Sequence, residues 1–145
     1  MVMGQDAQAV KAGDALKYVK GYVLMNDLSV PHESFYRPPV KYKCLDSFLG
    51  VGPSCVAAQA NSDPAHFTLA VRINGALRQS VNFANLVRNA AQLLADVSDF
   101  MTLHRGDVLM LGCDAGRPLA RAGDHIEISA PGFETLRNTL VSEAS

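Results

Sequence analysis

No apolar run in this sequence approaches the ~20 residues that a membrane-spanning helix needs. Met1-Val2-Met3-Gly4 passes at once into Gln5-Asp6, which is not the apolar core of a signal peptide. Net charge is nearly absent, with 13 Lys and Arg against 14 Asp and Glu. The basic residues are scattered, so neither a nucleic acid nor an anionic membrane has electrostatic support as a partner. The three cysteines, Cys44, Cys55 and Cys113, are odd in number and form no CxxC pair. They read as reduced thiols of a cytoplasmic protein, with neither a disulfide frame nor a zinc site implied. Ligand spacings of the HxH or HExxH kind are missing, and so is a GxSxG nucleophile elbow. No repeat or low-complexity linker marks a second domain. Residues 1–145 therefore read as one domain, long enough to bury roughly 68–70% of its unfolded surface.

What is present suggests strands more than helices. Asp14 to Val19 reads as a short helix with Asp14 as N-cap, ended by Gly21. Tyr22-Val23-Leu24-Met25 then reads as a buried strand that delivers Asn26-Asp27 at its C-terminal end. Prolines from Pro31 to Pro39 exclude a regular helix or central strand, leaving a long ordered loop. Asp46 to Pro53 is turn-like. Phe67, Leu69, Val71 and Ile73 alternate onto one face, and Asn74-Gly75 follows as a hairpin turn into a returning strand from Ala76 to Phe83. Leu86, Ala90, Leu93, Leu94 and Val97 recur at helical spacing, predicting an amphipathic helix over Asn85–Ser98, with Phe100 and Met101 finishing its apolar face. Gly106-Asp107 and Gly123-Asp124 each read as a turn feeding a strand, Val108–Leu111 and Ile126–Ile128. Pro131-Gly132 turns the chain into a closing strand, Leu136 to Val141. The class is α+β, mostly β, with one substantial helix.

Candidate chemistry gathers between Asn26 and Pro53. A carboxylate at the end of a buried strand is well fixed and suits a hard cation, so Asp27 is a candidate metal ligand, although an Asp capping a turn is the commoner case. Lys43 lies among Val40, Tyr42, Leu45 and Phe48, where its amine could hold a carboxylate or polarise a carbonyl; the alternative is a surface lysine with a buried stem. Arg37, between Tyr36 and Pro38-Pro39, could fork onto a substrate carboxylate or simply stack on the tyrosine. His32-Glu33 is a weak acid/base pair because adjacent residues in an extended loop point apart. His66, His104 and His125 sit beside turns, where exposure is ordinary. Cys113 in a glycine-rich loop has no nameable histidine partner, so a small loop residue is the better reading.

In order and spacing, these segments resemble the fumarylacetoacetate hydrolase family from about Val2 to Val141. The resemblance is carried by Gly21-Tyr22 leading to Asn26-Asp27, Lys43 to Phe48, Gly52-Pro53, Arg72-Ile73-Asn74-Gly75 with Arg78-Gln79, and Phe100-Met101-Thr102-Leu103 with Gly106-Asp107. Tyr36-Arg37-Pro38, Pro31-His32-Glu33-Ser34 and Leu109-Met110-Leu111-Gly112 resemble its isomerase/decarboxylase branch, which acts in 4-hydroxyphenylacetate (homoprotocatechuate) catabolism. The resemblance implies a rolled mixed β-sheet with peripheral helices. It also implies isomerisation of 2-hydroxyhepta-2,4-diene-1,7-dioate and decarboxylation of its tricarboxylate precursor. Further implied are Mg²⁺ or Mn²⁺ at Asp27, catalytic Lys43, Tyr36 and Arg37 on the distal carboxylate, and homodimerisation or association with a second family subunit. The metal would act as a Lewis acid on a chelated 2-oxo or 2-hydroxy dicarboxylic acid, stabilising an enolate.

The departures are specific. The family's Glu-x-Glu metal motif would fall before Met1, as would its lid, and Glu33, Glu127, Glu134 and Glu143 offer no substitute pair. The usual Gly-Thr-Pro loop is Gly112-Cys113-Asp114 here. The expectation is therefore an incomplete metal site, with Met1-Val2-Met3 left as a stub beside an exposed sheet edge or apolar face. A structural or partner subunit is the alternative function.

Overall fold

The computed structural model describes residues 1–33, 40–59, 63–112 and 115–142. Among the described residues nine short strands form three open sheets, one substantial helix accompanies them, and every strand pairing is antiparallel. Strands β1 (Val2–Met3), β2 (Val19–Tyr22) and β5 (Val56–Ala57) form the first sheet in the order β1-β2-β5. Strands β3 (Met25–Asp27) and β4 (Leu49–Val51) pair with each other. Strands β6 (Thr68–Ile73), β7 (Ala76–Asn82), β8 (His125–Ser129) and β9 (Leu136–Thr139) form the third sheet in the order β7-β6-β8-β9. Among the described residues two helices have α geometry: the single turn α1 (Val40–Lys43) and the longer α2 (Ala90–Phe100). Among the described residues no helix is long and apolar enough to cross a membrane.

The β6–β7 hairpin forms as its sequence predicts. Asn74 and Gly75 take φ of 52° and 79°, positive at both central positions as a type I′ turn demands. Val71 and Ile73 face Ile128 and Ile126 across the sheet, and with Leu24 and Leu136 they build one apolar cluster. A second cluster packs Met3, Val19, Tyr22, Leu94 and Leu103 beneath α2. Phe133 touches both, and an edge-to-face run of rings, Tyr22–Phe67 at 5.0 Å and Phe67–Phe133 at 5.5 Å, links them.

Several elements differ from their sequence expectations, each for a local reason. Residues 15–18 form a 3₁₀ turn, and the Asp14 carboxylate makes no capping bond because it pairs with Lys17 at 2.6 Å. Gly21 ends no helix; it lies inside β2 where β5 crosses so closely that a Cβ would sit 2.4 Å from the Val56 carbonyl oxygen. Helix α2 begins five residues later than the predicted Asn85. Asn82 first caps a 3₁₀ turn over Phe83–Asn85, and Asn89 then caps α2 by accepting from the Gln92 amide at 2.8 Å. Phe100 and Met101 leave the apolar face as the chain turns extended at Met101, and they are 76% and 47% exposed. Asp46–Pro53 is not all turn, since β4 lies within it.

Val108 to Leu111 makes no regular strand. It meets the chain start through the Val2–Val108 bridge, the Leu109 amide donating to Met1 O at 2.9 Å and the Met3 amide to Asp107 O at 2.8 Å. Met1 and Met3 are consequently buried core residues rather than a stub. Ser98, also fully buried, explains how residues 9–10 dock on α2. Its hydroxyl accepts from the Val10 amide at 3.0 Å and its carbonyl from Ala9 at 2.7 Å.

Candidate active site

Strand β3 ends at Asp27, but the single strand expected over Tyr22–Met25 is broken, with β2 ending at Tyr22 and β3 starting at Met25 in a separate sheet. Its register places Asp27 opposite Leu49 and Met25 opposite Val51 on one face of the β3–β4 pair, with Asn26 opposite Gly50 on the other. Leu49 and Val51 are about half exposed, so the Asp27 face is open, whereas Asn26 is buried. The Leu28 amide extends the ladder by donating to Phe48 O at 2.9 Å, and the Val30 amide donates to Tyr42 O at 2.8 Å. These bonds bring α1 alongside the end of β3.

Lys43 closes α1, whose one turn is marked by the Cys44 amide donating to Val40 O at 2.8 Å. From there its ammonium donates directly to Asp27 Oδ2. The two side chains are 34% and 24% exposed, so the charge pair is half-buried and poorly screened. A carboxylate and an ammonium separated by 16 residues in sequence thus share one mouth. His32 stacks on Tyr42 beside them, ring centroids 4.9 Å apart.

On the opposite face the Asn26 amide nitrogen donates to Asn138 Oδ1 of β9 at 3.0 Å. No sequence signal singled out Asn138, which lies in an ordinary closing strand. Asn138 also borders a cleft of about 360 Å³ with Asn74, His125, Glu127 and Arg137, but neither Asp27 nor Lys43 lines it. The described histidines are all exposed. Among them His125 Nδ1 is 2.9 Å from Thr139 Oγ1 and His104 Nδ1 3.3 Å from Asp6 Oδ2, far in sequence from Asp27. Tyr36, Arg37 and Cys113 lie outside the described residues.

Comparison with known proteins settles the family. The fumarylacetoacetate (FAA) hydrolase C-terminal family matches residues 1–141. The chain belongs to that family. It is 42% identical over 143 residues to the 4-hydroxyphenylacetate degradation bifunctional isomerase/decarboxylase of Escherichia coli, covering 99% of this chain and 32% of that protein. It thus spans about a third of the length of that curated relative. The 5-carboxymethyl-2-hydroxymuconate delta-isomerase of Mycobacterium smegmatis superimposes with TM-score 0.89 at 28% identity, covering 99% of this chain and 57% of that one. A maleylpyruvate hydrolase from Sphingobium sp. SYK-6, in complex with manganese(II) and pyruvate, does so with TM-score 0.89 at 29% identity, covering 99% and 52%. The metal in that relative makes the donor set here a direct question. Asp27 offers one carboxylate, already paired with Lys43, and among the described residues no three His, Cys, Asp or Glu side chains gather around a common point. These residues do not make a divalent-metal site by themselves.

Proposed function

We propose that this chain carries part of the active site of an isomerase/decarboxylase acting on a 2-oxo or 2-hydroxy dicarboxylic acid. The substrates in this reading are 2-hydroxyhepta-2,4-diene-1,7-dioate and its tricarboxylate precursor. The observation that carries the proposal is Lys43 held by Asp27 at the open end of β3. Both isomerisation and decarboxylation of such acids put negative charge on a carbonyl oxygen. A fixed ammonium in a half-buried mouth offsets that charge without reorganising as it develops. The family likeness and the identity to the E. coli isomerase/decarboxylase support this choice of chemistry. In the same reading Tyr36 and Arg37 hold the distal carboxylate. Mg²⁺ or Mn²⁺, the ion the resemblance implies, would need donors beyond Asp27.

A second reading is favoured by that donor shortage. The chain would then be a partner subunit, paired with its own copy or with a second family subunit, and inactive alone. One experiment separates the two: the ultraviolet absorbance of the dienol substrate is followed with the 145-residue chain in Mg²⁺ or Mn²⁺, beside Lys43→Ala and Asp27→Ala. Turnover that falls ~100-fold or more in Lys43→Ala supports the enzyme reading. The partner reading stands if there is no turnover and if calorimetric titration of Mn²⁺ gives the same heat for the chain and for Asp27→Ala.

A further inference from the structure

We infer that Asn138 is a positioning residue for the Asp27–Lys43 pair, acting through Asn26 and Gly50. This rests on the reading of Asp27 and Lys43 as site residues. Asn26 and Gly50 are opposite one another in the β3–β4 ladder, on the face away from Asp27. The Asn138 amide lies over that pair. It accepts from Asn26 Nδ2 at 3.0 Å, and it sits so close to Gly50 that a Cβ there would be 2.8 Å from Oδ1, 3.0 Å from Nδ2 and 3.2 Å from Cγ. A side chain at 50 would have to push that amide aside, because the amide occupies the space a Cβ would take. Asn138 is itself fixed in β9, opposite Ile126 of β8.

The two-stranded β3–β4 ribbon has little of its own to hold it. A pair of short strands is marginal in water without packing against another element. Its outer face is open, and its inner face is keyed to the four-stranded sheet at Asn138. Asp27 follows Asn26 directly, so a shift of the ribbon moves the carboxylate by a similar distance. Charge pairs tolerate little such displacement before water enters between them. Asn138 and Gly50 therefore set where Asp27 stands, although neither touches it.

The test reads Lys43 directly and needs no turnover. The intact chain is treated with trace acetic anhydride, and acetylation of each lysine is measured by mass spectrometry. A lysine held in an ion pair reacts slowly, and Lys17, paired with Asp14 elsewhere, serves as the internal standard. Asn138→Ala is expected to raise Lys43 labelling toward that of Asp27→Ala, roughly 2- to 12-fold, the range for one net hydrogen bond, with Lys17 unchanged. Asn138→Asp, which keeps an acceptor for Asn26, is expected to restore the slow rate. Gly50→Ala is expected to raise Lys43 labelling alone, and to add nothing in the Asn138→Ala background, where the clashing amide is gone. If Asn138→Ala does not fold, the Gly50→Ala result decides. Wild-type Lys43 labelling in folded Asn138→Ala or Gly50→Ala, or an equal rise at Lys17, would overturn the inference. An inactive chain that still shows the expected labelling pattern would refute the enzyme reading and leave Asn138 as the residue that sets the ion pair.

Discussion

Gly21→Ala is the sharpest test of how the first sheet is built. An added methyl would lie 2.4 Å from the Val56 carbonyl oxygen, 2.8 Å from Cys55 Sγ and 3.1 Å from the Val56 carbonyl carbon. Ordinary contact for such a carbon begins near 3.4 Å, so β2 and β5 would have to part by about 1 Å. Rotamer change relieves the sulfur contact but not the two backbone ones. Overpacking against backbone belongs at the upper end of its usual range, about 3 kcal/mol. For a chain of this size that lowers the melting temperature by about 6–12 °C. Urea unfolding followed by circular dichroism measures it, with two controls. Gly21→Ala/Cys55→Ala should remain destabilised, since Val56 is untouched. Gly75→Ala, with nothing within 4 Å but a φ of 79°, should cost only about 1 kcal/mol. A Gly21→Ala variant within ~0.5 kcal/mol of wild type, or one rescued by Cys55→Ala, would refute the close crossing.

Tyr22 gives a pH prediction. Burial, with a smaller push from the Asp63 carboxylate, raises its phenol from 10.0 to about 12. Folding thus favours the neutral phenol. That contribution is fully present below pH 10.0 and is lost as pH rises through about 12. Absorbance titration near 295 nm should show a late tyrosine step that disappears in Tyr22→Phe; its persistence there would assign the step elsewhere. Asn74→Ala should cost about 1–2 kcal/mol, because it loses a residue suited to positive φ and the side-chain bonds to Asp124 at 2.8 Å and the His125 amide at 2.9 Å. Asn74→Gly, keeping the turn but not the bonds, should lose less; equal losses in chemical denaturation would count against the side-chain contribution.

The strands legible in the sequence are those whose information is local. Asn74-Gly75 announces its own turn, and the alternation through Leu69, Val71 and Ile73 announces the face that Ile126 and Ile128 meet. Gly21 misled because a glycine that stops a helix and a glycine that admits a neighbouring carbonyl look alike until Val56 is in place. Leu86 fits the helical spacing, yet Asn82 and Asn89 cap two separate turns, and capping geometry overrides periodicity over so short a stretch. For the site, local sequence and the family's motif order both single out Asp27 and Lys43 as candidates, and their mutual contact emerges only from the fold. Asn138 could not have been found at all. Its importance lies in a contact with Asn26 across 112 positions of sequence, and nothing near either residue encodes it.

The β7-β6-β8-β9 strand order also governs the speed at which the chain assembles. Two of its junctions, β6–β7 and β8–β9, close over short turns and can form within microseconds. The central junction, Ile73 against Ile126, joins segments roughly fifty residues apart, and the intervening loop must lose its freedom before any contact repays it. The β6–β8 zipper is therefore expected to be the slow step, with α2 and the residues around Leu103 threaded between two ready-made hairpins. Truncations at Val71, at Ile128 and in the β6–β7 turn should then all slow refolding and leave unfolding nearly unchanged. On a ribosome, which releases the chain from its amino end, the first hairpin must wait with one long edge unpaired until His125–Ser129 emerges.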